Sequence, residues 1–109
     1  MAQVPSLTHL QFLVLSRLRL GPSSGRELRQ RLEDYAVRKS GPAFYQLMAR
    51  MEDAGMVKGW YQQEIIDSQI IRERHYKITA QGKTAWHRST EFYRAASEEF
   101  SGKEGLAHG

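Results

Sequence analysis

Apolar residues recur three and four positions apart along most of this chain, and the interval shortens to two only between residues 57 and 78. A period near 3.6 marks amphipathic helices and a period of two marks strands. Leu10, Leu13, Val14 and Leu18 form the first helical stripe, over residues 8–20, with Thr8 as the cap and Gly21-Pro22 as the stop. A second helix follows Ser23 or Ser24 as its cap; Glu27 stands in the capping-box position, Leu28 and Leu32 face inward, and the helix ends near Tyr35. Residues 36–39 connect it to a third, which Ser40 caps and which carries Pro42 in its first turn, where a missing N–H costs nothing. Gly55, suited to the left-handed conformation, ends it. Phe44, Leu47, Met48 and Met51 fall at i, i+3, i+4 and i+7, so one face is buried and the face centred on Gln46 and Ala49 is left for a partner.

Residues 57–66 and 70–78 are rich in β-branched and aromatic side chains and are joined around Asp67-Ser68, which predicts a hairpin with a turn that lacks glycine. Alternation puts Tyr76 and Ile78 on one face with Arg72 and Arg74 further out, and turns His75 and Lys77 the other way. From Thr79 a last helix runs toward Phe100 without a proline, about 33 Å at 1.5 Å per residue. That is longer than closing a small core requires. Its apolar residues Ala85, Trp86, Phe92, Tyr93, Ala96 and Phe100 include Trp86, Tyr93 and Phe100 at seven-residue intervals, a seam too apolar to stay exposed. A second copy of the chain is the simplest cover; the alternative is that these aromatics fold back onto the first helix. Residues 101–109, with three glycines, are expected to be a disordered tail.

The element order predicts an α+β fold, mostly helical: a winged helix-turn-helix of three helices plus a β-hairpin wing over residues 1–78, and a long C-terminal dimerisation helix over residues 79–100. A chain of 109 residues has room for one core and buries a modest share of its surface, which favours self-association. There is no cysteine, so neither a disulfide framework nor a thiolate metal site can form, and the apolar runs are too short to span a bilayer. Residues 1–6 lack a basic stretch followed by an apolar one, so a cytoplasmic location is expected.

Net charge is +4, and its location matters more than its size. Between residues 26 and 50, Arg26, Arg29, Arg31, Arg38, Lys39 and Arg50 face only Glu27, Glu33 and Asp34, while residues 64–78 and 79–109 are balanced. The basic excess therefore overlaps the helix with the free face, which points to a polyanion. Catalytic and metal chemistry are not expected. His9, His75, His87 and His108 have no ligand spacing, there is no Walker-type phosphate loop or nucleophile elbow, and pairs such as Glu52-Asp53 and Glu98-Glu99 read as solvated charge.

Ala43, Tyr45, Leu47 or Met48, Arg50, Met51, Glu52 and Gly55, preceded by Leu7-Thr8, Leu20-Gly21-Pro22 and Gly25, and followed by Tyr76, Ile78, Thr79 and Gly82, resemble the PadR family of winged-helix transcription regulators in residue type and order. The resemblance runs over residues 7–86. It departs at the wing, where the family usually has Gly-Arg and this chain has Ile70-Ile71, and at His75, where the family has tyrosine. A member of this kind is expected to be a homodimeric repressor that binds a palindromic site in double-stranded DNA, with no cofactor. The expected DNA-binding set is Arg38, Lys39, Ser40, Ala43, Tyr45, Gln46 and Arg50, with Arg72 and Arg74 on the wing. Gln46 has the chemistry to pair bidentately with adenine, Ser40 and Tyr45 reach phosphates, and Arg38 and Lys39 give salt-dependent affinity. The resemblance also implies a small aromatic effector at or near the dimer seam, lined by Phe12, Trp86, Phe92 and Tyr93, with Phe100 further along the same seam. A different class remains open: a winged-helix module that docks an acidic protein and reads no sequence.

Overall fold

The computed structural model describes residues 7–35 and 37–108, the last seven by their backbone alone. The N-terminal stretch 1–6, Ala36 of the expected connector and Gly109 of the expected tail lie outside them. The elements are α1 (His9–Leu18), β1 (Ser23–Ser24), α2 (Gly25–Glu33), α3 (Gly41–Asp53), β2 (Val57–Ile66), β3 (Gln69–Ile78) and α4 (Ala80–His108).

Local chemistry accounts for the helix ends. Thr8 Oγ1 accepts from the Gln11 N–H while Gln11 Oε1 accepts from the Thr8 N–H, a reciprocal capping box in which glutamine plays the acid's usual part. At α2, Ser24 Oγ accepts from the Glu27 N–H, but the Glu27 carboxylate turns to the Ser23 hydroxyl and to Arg17. Ser40 Oγ accepts from the Ala43 N–H, with Pro42 in the first turn of α3. At the other end Gly55 has φ +78, its N–H donates to Glu52 O, and Met56 N–H donates to Met51 O, the two bonds of a Schellman motif. Met56 then enters the core.

β2 and β3 pair antiparallel from Val57↔Ile78 out to Ile66↔Gln69. Asp67 and Ser68 both have positive φ, as a two-residue turn that follows the sheet's twist requires. The sheet has a third strand that periodicity does not reveal: Ser23 and Ser24 pair with Tyr76 and His75, giving the order β1-β3-β2. A two-residue strand shows no period, so these serines read only as caps.

The core is Val14, Leu15, Leu18, Leu28, Leu32, Phe44, Met48, Met51, Met56, Val57 and Tyr76. Leu15, outside the expected α1 stripe, is fully buried, because α1 packs against α2, β3 and α4 and so buries more than one narrow face. α4 is pinned to the end of α3. Thr79 Oγ1 accepts from the Gly82 N–H and donates to Gly55 O, Gln81 Nε2 donates to Ala54 O, and a Cβ on Gly82 would run into the Met56 carbonyl.

Two expectations for α4 change. It continues to His108, so the segment 101–109 is helical through residue 108 rather than a coil tail. Lys103, Glu104, Leu106 and Ala107 are good helix formers, and Gly102 and Gly105 each cost about 1 kcal/mol without removing a ladder bond. The aromatic seam is also divided. Trp86 folds back on α1: its Nε1–H donates to Ser16 Oγ at 2.8 Å, its ring stacks on Phe12 at 6.0 Å, and the guanidinium of Arg19, the residue that caps the C-terminal end of α1, sits 3.6 Å from the ring centroid. Phe92 is half-buried, edge-on to Tyr93, while Tyr93 and Phe100 are exposed.

Candidate nucleic-acid interface

α3 turns Phe44, Met48 and Met51 into the core, and the opposite face carries Pro42, Tyr45, Gln46, Ala49 and Arg50 in the open. Ser40 stands exposed at its start; its oxygen is engaged by the Ala43 N–H, and its hydroxyl proton is available to an acceptor. Arg38 is exposed and Lys39 half-buried, and the Lys39 carbonyl is held by Arg29 at 3.1 Å, which fixes the connector to α2. Tyr45 packs edge-on against Phe44 and lies over Gly25, where a Cβ would come within 2.8 Å of its hydroxyl oxygen. Gly25 thus leaves room for the Tyr45 ring and places the Tyr45 hydroxyl beside the start of α2. Ala43 is half-buried, small enough to leave the first turn of α3 accessible.

The two wing arginines part company. Arg72 is exposed, with its guanidinium 4.4 Å from the Tyr61 ring centroid. Arg74, expected to be an outward contact, reaches inward: its Nη2 lies 3.0 and 2.9 Å from the two carboxylate oxygens of Glu52 on α3. Glu52 is therefore the wing's anchor on α3, not solvated charge. Both side chains cover Gly59, where a Cβ would meet Glu52 Oε1 and Arg74 Nη2. The Glu52 hydrogen bond raises the Arg74 pKa against the opposing effect of burial. Beside it the buried Tyr76 hydroxyl is pushed up to about 12, by desolvation first, with the Arg74 charge pulling the other way.

The opposite face of the sheet holds a second cluster. His75, expected to point away from the core, is nonetheless buried, with Nε2 2.7 Å from Glu64 Oε1, its ring 6.0 Å from Trp60, and Nδ1 3.4 Å from the Glu73 carbonyl. Arg26 from α2 sits 3.3 Å from Glu73. Glu64 is thus taken by histidine and not by either wing arginine.

Three helices closed by a hairpin, with a capped third helix open on one side and a long fourth helix appended, define a winged helix-turn-helix protein. The sequence pattern of the transcriptional regulator PadR-like family matches residues 14–88, and the chain belongs to that family. The family is one of transcriptional regulators and not of enzymes. No curated protein matches the chain. Among solved structures it is similar to a PadR family transcription regulator from Clostridium difficile R20291 (19% identity, covering 86% of this chain and 96% of that one, TM-score 0.72). A transcriptional regulator from Clostridium thermocellum is similar at 23% identity, 85% and 87% coverage and a TM-score of 0.66. Bacillus subtilis PadR in complex with operator DNA shares the fold at 19% identity over 73% of this chain and 45% of that one, with a TM-score of 0.59. Among the described residues no helix is long and apolar enough to cross a membrane, and no group of histidine and carboxylate side chains could hold a metal.

Proposed function

We propose that this protein is a homodimeric repressor that reads a palindromic operator in double-stranded DNA, with the N-terminal half of α3 in the major groove. The observation that carries the reading is the exposed face of α3, Gln46 and Ala49 flanked by Tyr45, Arg50, Ser40, Arg38 and Lys39, on a chain of the PadR-like family. The Bacillus subtilis relative bound to operator DNA supports it. Gln46 presents an amide with the donor and acceptor that adenine N7 and N6 require. Ser40, Tyr45, Arg38, Lys39 and Arg50 offer donors to phosphates, which position without specifying. Of the wing pair, Arg72 is the phosphate contact and Arg74 the anchor.

Tyr93 and Phe100 on α4 supply the apolar surface for the second copy. Release by a small aromatic effector would act through Trp86, and such a ligand would have to displace Arg19 from the ring, since Phe12 already stacks on it. Selection from a random DNA pool tests the reading against the acidic-protein alternative. Enrichment of one palindrome whose half-sites lie about one helical turn apart, 34 to 36 Å, supports it, and binding without enrichment sinks it.

A further inference from the structure

The wing tip is apolar where a DNA-facing hairpin is usually basic. Ile65 and Ile70 are cross-strand partners next to the Asp67-Ser68 turn, 78% and 73% exposed. Alternation puts them on the same face as Gly59, Tyr61, Gln63, Arg72 and Arg74, the face whose inner end packs on α3 through Glu52, Val57 and Tyr76. No carboxylate of β2 or β3 lies on that face. Glu64 and Glu73 are on the other, tied to His75 and Arg26. The outer wing therefore presents two bare isoleucines followed by an arginine laid on a tyrosine ring, a surface complementary to a groove with sugar walls and phosphate rims.

The reach fits as well. From Gly59 at the α3 contact to Ile65 is about 20 Å of strand at 3.3 Å per residue. Half a turn of B-DNA, the step from a major groove to the next minor groove, is about 17 Å of the 34 Å repeat. Apolar side chains are known to pack in minor grooves, against sugars or as wedges between base steps. We propose that Ile65 and Ile70 form an apolar contact in the DNA minor groove flanking the α3 site, with Arg72, held on Tyr61, on the adjoining phosphate. The contact rests on the DNA-binding reading above and assigns the wing a role by apolar burial instead of charge.

The test uses the full chain and a fluorescent duplex carrying the sequence enriched from the random pool. Ile65→Thr/Ile70→Thr keeps β-branching, so the hairpin retains its strand preference. Its dissociation constant should rise about tenfold, the loss of partial burial of two isoleucines, while the slope of log K against log salt stays unchanged because no phosphate contact is lost. Arg72→Ala should instead flatten that slope by about 0.9. Hydroxyl-radical footprinting of the parent should show protected sugars half a turn from the α3 site, and the double variant should lose that protection. If the parent selects no sequence, the regulatory reading falls and the wing contact with it. If the parent binds its site but leaves those sugars unprotected, or the threonine variant binds as tightly, the wing contact alone is overturned.

Discussion

Arg74 and Gln46 are both polar residues near the reading face, and the fold gives them opposite tasks. Arg74 spends its donors on Glu52, so it sets the angle between wing and α3 and has little left for a phosphate. Gln46 is exposed one turn into α3, opposite the buried stripe. On the proposed reading Gln46→Ala relaxes preference at one base pair per half-site, costing about 1 to 3 kcal/mol on the selected operator with little change on random DNA. A repeat of the pool selection with the variant checks this; recovery of the parent's motif with equal discrimination at every position removes Gln46 as a reader. Tyr76 makes a second prediction at this scale. Its folded pKa lies near 12 against an ordinary 10, so its contribution to stability is complete below pH 10 and is lost as pH rises through 12. Urea melts of the parent and Tyr76→Phe from pH 8 to 12 should show the parent's relative stability dropping by roughly 2 kcal/mol above pH 10. A difference that stays flat over that range would contradict it.

At the scale of elements, α3 depends on its two ends. Ser40→Ala leaves the Ala43 N–H without its side-chain acceptor and should destabilise the fold by about 1 kcal/mol. Gly82→Ala is expected to cost more, about 1 to 3 kcal/mol, since its Cβ would press on a backbone carbonyl that cannot swing aside as a side chain could. Chemical denaturation of both variants ranks them, and an alanine at 82 as stable as the parent would mean that α4 is not seated on the end of α3. Sequence made the caps legible because each is a contact between residues three or four apart. The Gln11 half of the α1 box was not read from the sequence, although it lies in the same four-residue window, and the box expected at Glu27 does not form because its carboxylate goes to Ser23 and Arg17. β1 was not legible: its pairing with β3 joins residues about fifty positions apart and shows no pattern of its own.

For the whole molecule, the radius of gyration is 17.2 Å against about 13 Å for a compact chain of this length, because wing and α4 both project from a small core. Half-buried Phe92 and exposed Tyr93 and Phe100 lie along that projection. Replacing Tyr93 and Phe100 with lysine should convert the proposed dimer to monomers in sedimentation without loss of the fold, whereas charging Trp86 would also break the α1–α4 contact. A Tyr93→Lys/Phe100→Lys protein still dimeric at micromolar concentration places the seam elsewhere. The basic excess around α2 and α3 makes the other prediction at this scale. Removing Arg38 and Lys39 should weaken binding to every DNA sequence by a similar factor and reduce the salt slope by about 0.9 per lost phosphate contact, with discrimination between sequences retained. Titrations at several salt concentrations decide, and an unchanged slope takes both residues out of the interface.

Periodicity, caps and turn chemistry are short-range, and by themselves they determined the α2 and α3 stripes, most of the α1 stripe, the starts of the helices, the hairpin with its turn at Asp67-Ser68 and the open face of α3, while the family resemblance came from the order of residue types along the chain. The direction of a long side chain is settled by what lies across the core. Glu52 and Arg74 are 22 residues apart, and Ser16 and Trp86 are 70 apart. Only the packed molecule brings those pairs together, so only it decided that Arg74 anchors the wing, that His75 is buried on the outer face, and that Trp86 belongs to its own chain's first helix while Tyr93 and Phe100 are left exposed.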